Sequence, residues 1–153
     1  RQLAERNLKM MKKREISSIL SRASGKDVAE IAAPLKESDR VEVLKEPQKT
    51  LVMIKVRESV GRSLFYLGEL LATECMVRVN GSKGFSVMAG DDFEKTFHAA
   101  VIDGYLNSDE AEDRKEELLG KIRKLDEKQK EERGRRNAQI LKSKVNFNVM
   151  GES

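Results

Sequence analysis

Between about residues 40 and 90, apolar positions recur every second residue. Val41 and Val43 alternate with charges, and Val52, Ile54 and Val56 alternate with Met53, Lys55 and Arg57. Val77 and Val79 alternate with Met76 and Arg78, and Phe85, Val87 and Ala89 follow. A period of two predicts strands with one buried and one wet face. Pro47, Gly61 and Asn80-Gly81 supply the breaks, and Asn-Gly is a strong hairpin signal. The pattern predicts an α+β fold. Its antiparallel sheet would have four strands, or five if Leu64–Leu71 is also extended.

On either side the period lengthens to that of a helix. Leu8, Met11, Ile16, Ile19 and Leu20 predict a helix over 3–22, broken by Ser24-Gly25. Asp27 is placed to cap a second, short helix that Pro34 would interrupt or end. Gly90-Asp91-Asp92 closes the last strand, and either Asp can cap the helix that carries Phe93, Phe97, Ala100, Val101 and Tyr105. Beyond Asn107-Ser108, residues 109–137 read as a charged helix or linker, with Leu118, Leu119, Ile122 and Leu125 as its only apolar anchors. Asp126–Asn137 holds no apolar side chain, while Asp126/Lys130, Glu131/Arg135 and Glu132/Arg136 are favourable i,i+4 pairs. In 138–153, Val145, Phe147 and Val149 alternate, which predicts an extended docking tail. It would pack on this sheet or on a partner. The whole of 1–153 reads as one domain, with N-terminal and C-terminal helices flanking the sheet.

Composition narrows the chemistry. The chain has 153 residues, with 30 Lys plus Arg against 26 Asp plus Glu, a net charge of +4. One Cys and one His exclude a Cys₄ or Cys₂His₂ zinc site or an iron–sulfur cluster held by this chain alone. The lone thiol fits a reducing cytoplasm. Leu51-Val52-Met53-Ile54 is among the longest apolar runs, far short of the ~20 residues a membrane span needs. Arg1–Arg6 lacks the apolar core of a signal peptide. The expectation is a cytoplasmic chain without a membrane or nucleic-acid partner: aromatics are 5% of residues and Trp is absent, where single-strand binders use stacking aromatics.

Catalytic motifs are missing. No phosphate-binding G-x-x-x-x-G-K-[ST] or G-x-G-x-x-G occurs, and Gly84-Phe85-Ser86-Val87-Met88 fails as a nucleophile elbow at its second glycine. His98 reads as an ordinary helix residue, and Cys75, with no neighbouring base, as a half-buried strand thiol. Asp103 reads as a salt-bridging group or an acceptor for backbone donors. No catalytic residue, metal ligand or cofactor site emerges.

Three ordered strings do carry a resemblance. Phe65-Tyr66-Leu67-Gly68-Glu69-Leu70-Leu71-Ala72-Thr73-Glu74 with Val77-Arg78-Val79 is the first. Gly84–Asp92 followed by Ala99-Ala100-Val101-Ile102-Asp103 is the second, and Ser143-Lys144-Val145-Asn146-Phe147-Asn148-Val149-Met150 is the third. Together they resemble the PhnG family, a component of the bacterial carbon–phosphorus lyase system. Asn146 stands where that family usually has Asp, and Val149 where it has Thr. The resemblance implies a part in phosphonate catabolism. There, PhnG, PhnH, PhnI and PhnL displace adenine from ATP with an alkylphosphonate, forming α-D-ribose 1-alkylphosphonate 5-triphosphate. It also implies a core complex with PhnH, PhnI and PhnJ, and a structural or allosteric role without a catalytic centre or cofactor. Partner-binding candidates are Gly84, Phe85, Ser86, Gly90, Lys144, Val145, Phe147 and Met150, and a homodimer is a further candidate assembly. The alternatives are a direct phosphate-binding contribution, with Arg57, Arg62, Arg78 or the helix N-terminus after Asp92 as contacts, and a basic RNA-binding domain.

Overall fold

The computed structural model describes residues 13–38, 40–61 and 63–152, with side chains described to residue 142 apart from that of Ser38. In this span the order is α1 (13–22), α2 (Gly25–Ser38), β1 (Val41–Arg57), β2 (Leu64–Val79), β3 (Ser82–Ala89), α3 (Phe93–Asn107) and α4 (Glu112–Glu152). The fold is α+β, as the two periodicities predict. The first ten residues of the predicted N-terminal helix, 3–12, lie outside the described residues.

The sheet has three strands rather than four or five, antiparallel in the order β1-β2-β3. The predicted segments around Val41–Val43 and Val52–Val56 fuse into one strand of 17 residues, and Leu64–Leu71 fuses with Val77–Val79 into one of 16. Pro47 fails to break β1 because it lies on an edge strand, inside a register shift between Lys45 and Gln48. There its missing N–H costs no ladder bond. The Asn-Gly signal does hold. Asn80 (φ 49°) and Gly81 (φ 86°) both take positive φ, as a two-residue type I′ turn requires, and join Val79 to Ser82.

Helix starts follow local capping chemistry. Ser24, not Asp27, caps α2: its hydroxyl accepts the Asp27 N–H at 3.2 Å, three residues on. Pro34 sits inside α2, which runs on past it to Ser38. Buried Ile31 and Leu35 hold the helix on the core on both sides of the proline. Asp92 caps α3 as predicted, accepting the Lys95 N–H at 3.1 Å. The C-terminal segment is helical rather than extended, since α4 continues unbroken to Glu152. No proline interrupts it, and Asp126–Lys130 closes an i,i+4 ion pair at 3.2 Å.

All the helix packing gathers at one end of the sheet. Cys75, Val77 and Val79 of β2 are fully buried beneath Ala100, Val101 and Ile102 of α3. Ile19 and Leu20 of α1, Val28 and Ile31 of α2, and Leu118 and Ile122 of α4 complete this core. The seat of α3 is set by two glycines. A Cβ on Gly84 would lie 2.2 Å from the Ala100 carbonyl oxygen and 2.3 Å from the Gly104 nitrogen, while one on Gly104 would lie 2.8 Å from Val79 Cγ2. Beyond Ala72, where β3 ends, β1 and β2 continue as a two-stranded ribbon.

Gly84→Ala is therefore expected to cost about 1–3 kcal/mol, because backbone rather than a side chain blocks the new methyl. Gly68→Ala, with nothing within 4 Å, is expected to stay within about 0.5 kcal/mol. Urea denaturation of both variants checks the contrast.

Candidate functional site

The candidate residues distribute over three regions. Gly84 is buried in the α3–β3 contact, where only a hydrogen fits, and so faces no surface. Its neighbours differ: Phe85 is 46% exposed and Ser86 half-buried, and both line a hollow of about 180 Å³ together with Lys13 and Ser17 of α1 and Asp103 of α3. Gly90 is exposed and takes φ 93°, turning the chain from β3 towards α3. Thr73 Oγ1 donates to its carbonyl at 2.8 Å, and the Gly90 N–H donates to the Leu71 carbonyl at 2.9 Å.

Arg57 and Arg78 do not share one anion site. Arg57 ends β1, whereas Arg78 pairs across the strands with Glu42 at the opposite end of the ladder, 3.6 Å from its carboxylate. Fifteen residue steps separate Glu42 from Arg57, roughly 45 Å of strand. Arg62 lies outside the described residues. The N-terminus of α3 already has an anionic cap. The Asp92 carboxylate already occupies it, with Glu94 in the first turn, and these negative charges take up the positive end of the helix dipole.

Lys144, Val145, Phe147 and Met150 fall on the last turns of α4, and their side chains lie outside the described residues. Forty-one helical residues span about 60 Å. Leu118, Leu119 and Ile122 anchor the first part, and the Gln129 side-chain amide donates to the Ile19 carbonyl at 3.1 Å. From residue 131 to 142 every side chain is exposed, including Ile140 and Leu141.

Asp103 and Glu74 are hydrogen-bonded, and Cys75 is buried. Asp103 accepts the Phe85 N–H at 3.0 Å, and Asn107 donates to the Lys83 carbonyl at 3.0 Å. These two α3 side chains cap the outer edge of β3 at Phe85 and Lys83, with Asp103 in the backbone-acceptor role the sequence allowed for it. Burial pushes the Cys75 thiol up, away from the reactive thiolate. Glu74 is held below the usual carboxylate range by hydrogen bonds from Lys45 and Gln48. Among the described residues, no group of three or more His, Cys, Asp and Glu side chains could hold a metal ion.

His98 is 9% exposed, with Nε2 3.2 Å from Lys36 Nζ. Burial lowers its pKa first and the Lys36 charge lowers it further, against smaller opposing contributions from Glu94 and Asp92. Depression of the folded-state value means that protonation favours the unfolded chain. The stabilisation from neutral His98 is complete above the unfolded value of about 6.5 and is lost as pH falls through the folded one. In NMR titration, His98 is expected to titrate below 6.5, and Lys36→Met to move it part of the way back. A wild-type value at or above 6.5 would contradict this placement.

The exposed apolar ribbon of β1 and β2 is a surface that sequence reasoning did not single out. Its signal was present in Leu51–Val56 and Leu64–Leu71, which are apolar at odd and even positions alike. The family described as phosphonate metabolism protein PhnG matches residues 11–151, all but ten residues at the start and two at the end. A search of curated proteins gives no match. No helix among the described residues is long and apolar enough to cross a membrane. The chain belongs to the PhnG family of phosphonate metabolism proteins.

Proposed function

We propose that the chain is a non-catalytic subunit of a phosphonate-degrading assembly. Its partners are the carbon–phosphorus lyase core proteins PhnH, PhnI and PhnJ, together with PhnL. Acting with PhnH, PhnI and PhnL, it serves the step in which an alkylphosphonate displaces adenine from ATP and α-D-ribose 1-alkylphosphonate 5-triphosphate forms. The observation that carries this reading is the near-complete PhnG match, set beside a structure in which Asp103 accepts a β3 backbone N–H, Cys75 is buried and His98 is packed beside Lys36. The chain's contribution is then to shape and hold the transferase. Phe85, Ser86 and Gly90, and the end of α4 with Lys144, Val145, Phe147 and Met150, are docking surfaces in this proposal. A direct phosphate-binding role gains no support from Arg57 and Arg78, which stand at opposite ends of the ladder.

Purified chain incubated with ATP and methylphosphonate is expected to release no adenine. A mixture of PhnH, PhnI and PhnL is expected to lose adenine release when this chain is left out and to regain it when the chain is restored. Adenine turnover by the chain alone, abolished by Asp103→Ala or His98→Ala, would overturn the proposal.

A further inference from the structure

Beyond the reach of β3, the sheet thins to two strands that carry apolar side chains on both faces. Strand alternation and the observed pairing put Leu51, Met53, Leu64 and Leu71 on one face, and Val52, Ile54, Val56, Phe65 and Leu70 on the other. Exposure is high throughout: Leu51 is 62% exposed, Met53 58% and Leu67 63%. A two-stranded ribbon is marginal in water by itself, and soluble proteins rarely leave apolar patches of this extent open. At these exposures, eleven apolar side chains of the two strands present roughly 900 Å², close to the ~800 Å² that each partner buries in a standard-size interface.

The edges of the sheet are treated unequally. The outer edge of β3 is capped at Lys83 and Phe85 by Asn107 and Asp103. The first half of β1 carries Lys45, Glu46 and Pro47 at register shifts, devices that blunt an edge against pairing. From Leu51 to Val56 the edge is more open: the segment has no proline and a single charge, Lys55, beside one register shift between Ile54 and Lys55. No side-chain hydrogen bond among the described residues meets that edge.

We propose that this ribbon is an arm that inserts into an apolar cleft of a different, folded partner protein, which closes on both of its faces. The proposal rests on the reading of the chain as part of a larger assembly, given above. Charge selects the partner's chemistry. Lys49, Lys55 and Arg57 share the face of Leu51 and Met53, opposed there by Glu69, while Val52, Ile54 and Val56 share a face with no charge. The cleft accordingly has one apolar wall and an acidic rim. A second copy of this chain fits poorly. Two copies meeting through the basic face would oppose like charges. Two copies meeting through the uncharged face would leave Leu51 and Met53, among the most exposed apolar side chains of the ribbon, in water. The hollow of about 370 Å³ lined by Arg14, Glu15, Arg22, Asp126, Lys130 and Arg133 is charged and offers no such cleft.

The test co-expresses the full chain with PhnH, PhnI and PhnJ and reads backbone hydrogen exchange before and after assembly. Amides of Leu51–Val56 and Leu64–Leu71 are expected to slow at least tenfold in the complex. The double variant Val52→Lys/Ile54→Lys is expected to keep the melting temperature of the isolated chain, because both residues lie outside the helix-backed core, while its co-purification falls at least tenfold. Wild-type assembly with unchanged ribbon exchange would overturn the arm and leave the proposed function intact. Failure of the wild-type chain to co-purify would overturn both. An isolated wild-type dimer by light scattering that the double variant converts to monomer would assign the ribbon to self-association instead. The exchange measurement on the wild-type chain decides the matter even where the double variant does not fold.

Discussion

The approach of α3 to β3 is the contact on which the rest of the fold depends. Gly84 and Gly104 let two backbones meet where a single methyl group would collide with main chain or with Val79. That closeness lets Asp103 and Asn107 reach the outer edge of β3, so one helix both covers the sheet and caps its edge at Phe85 and Lys83. It also sets the depth at which Ala100, Val101 and Ile102 cover Cys75, Val77 and Val79. α1 joins the same body through Lys95, whose ammonium donates to the Ser21 carbonyl at 2.7 Å.

Among the described residues the helices pack at one end of the sheet, which leaves two long elements with little of the described chain to lie on. The β1–β2 ribbon leaves the core beyond Ala72, and α4 leaves it beyond Gln129. They differ in chemistry. The ribbon is apolar on both faces, whereas Asp126–Asn137 of α4 is entirely polar and is stable as a solvated helix through pairs such as Asp126–Lys130. The ribbon needs a cover and the helix does not. This division suits a protein that joins others: a small rigid body supports one element to be enclosed and another to reach outward.

The core end of the molecule is legible in the sequence because local and long-range signals agree there. Alternation, an Asn-Gly turn and an aspartate cap all point to the elements found around Val77, Asn80 and Asp92. Strand number is not legible, because Pro47 reads as a break. Whether proline ends a strand depends on its being at an edge or in the interior, and that is a property of the whole sheet. The alternation of Val145, Phe147 and Val149 misleads for a related reason. With no proline between Glu112 and Met150, helix propagation runs through Gly120 and Gly134 and outweighs a short period-two pattern. That Arg57 and Arg78 stand at opposite ends of the ladder is not legible, because sequence carries no register. Asp103 is legible as an acceptor, while its donor, the Phe85 N–H, belongs to another element.

The central claim is that this chain supports a nucleotide-dependent transferase without itself holding the nucleotide. Titration of the isolated chain with ATP, followed through its backbone amide NMR signals, tests this most directly. No saturable shift is expected up to millimolar ATP, and no localised response at the α3 N-terminus or at Arg57 and Arg78. A saturable shift in the micromolar range, clustered on those residues or on the hollow beside Asp103, would contradict the claim.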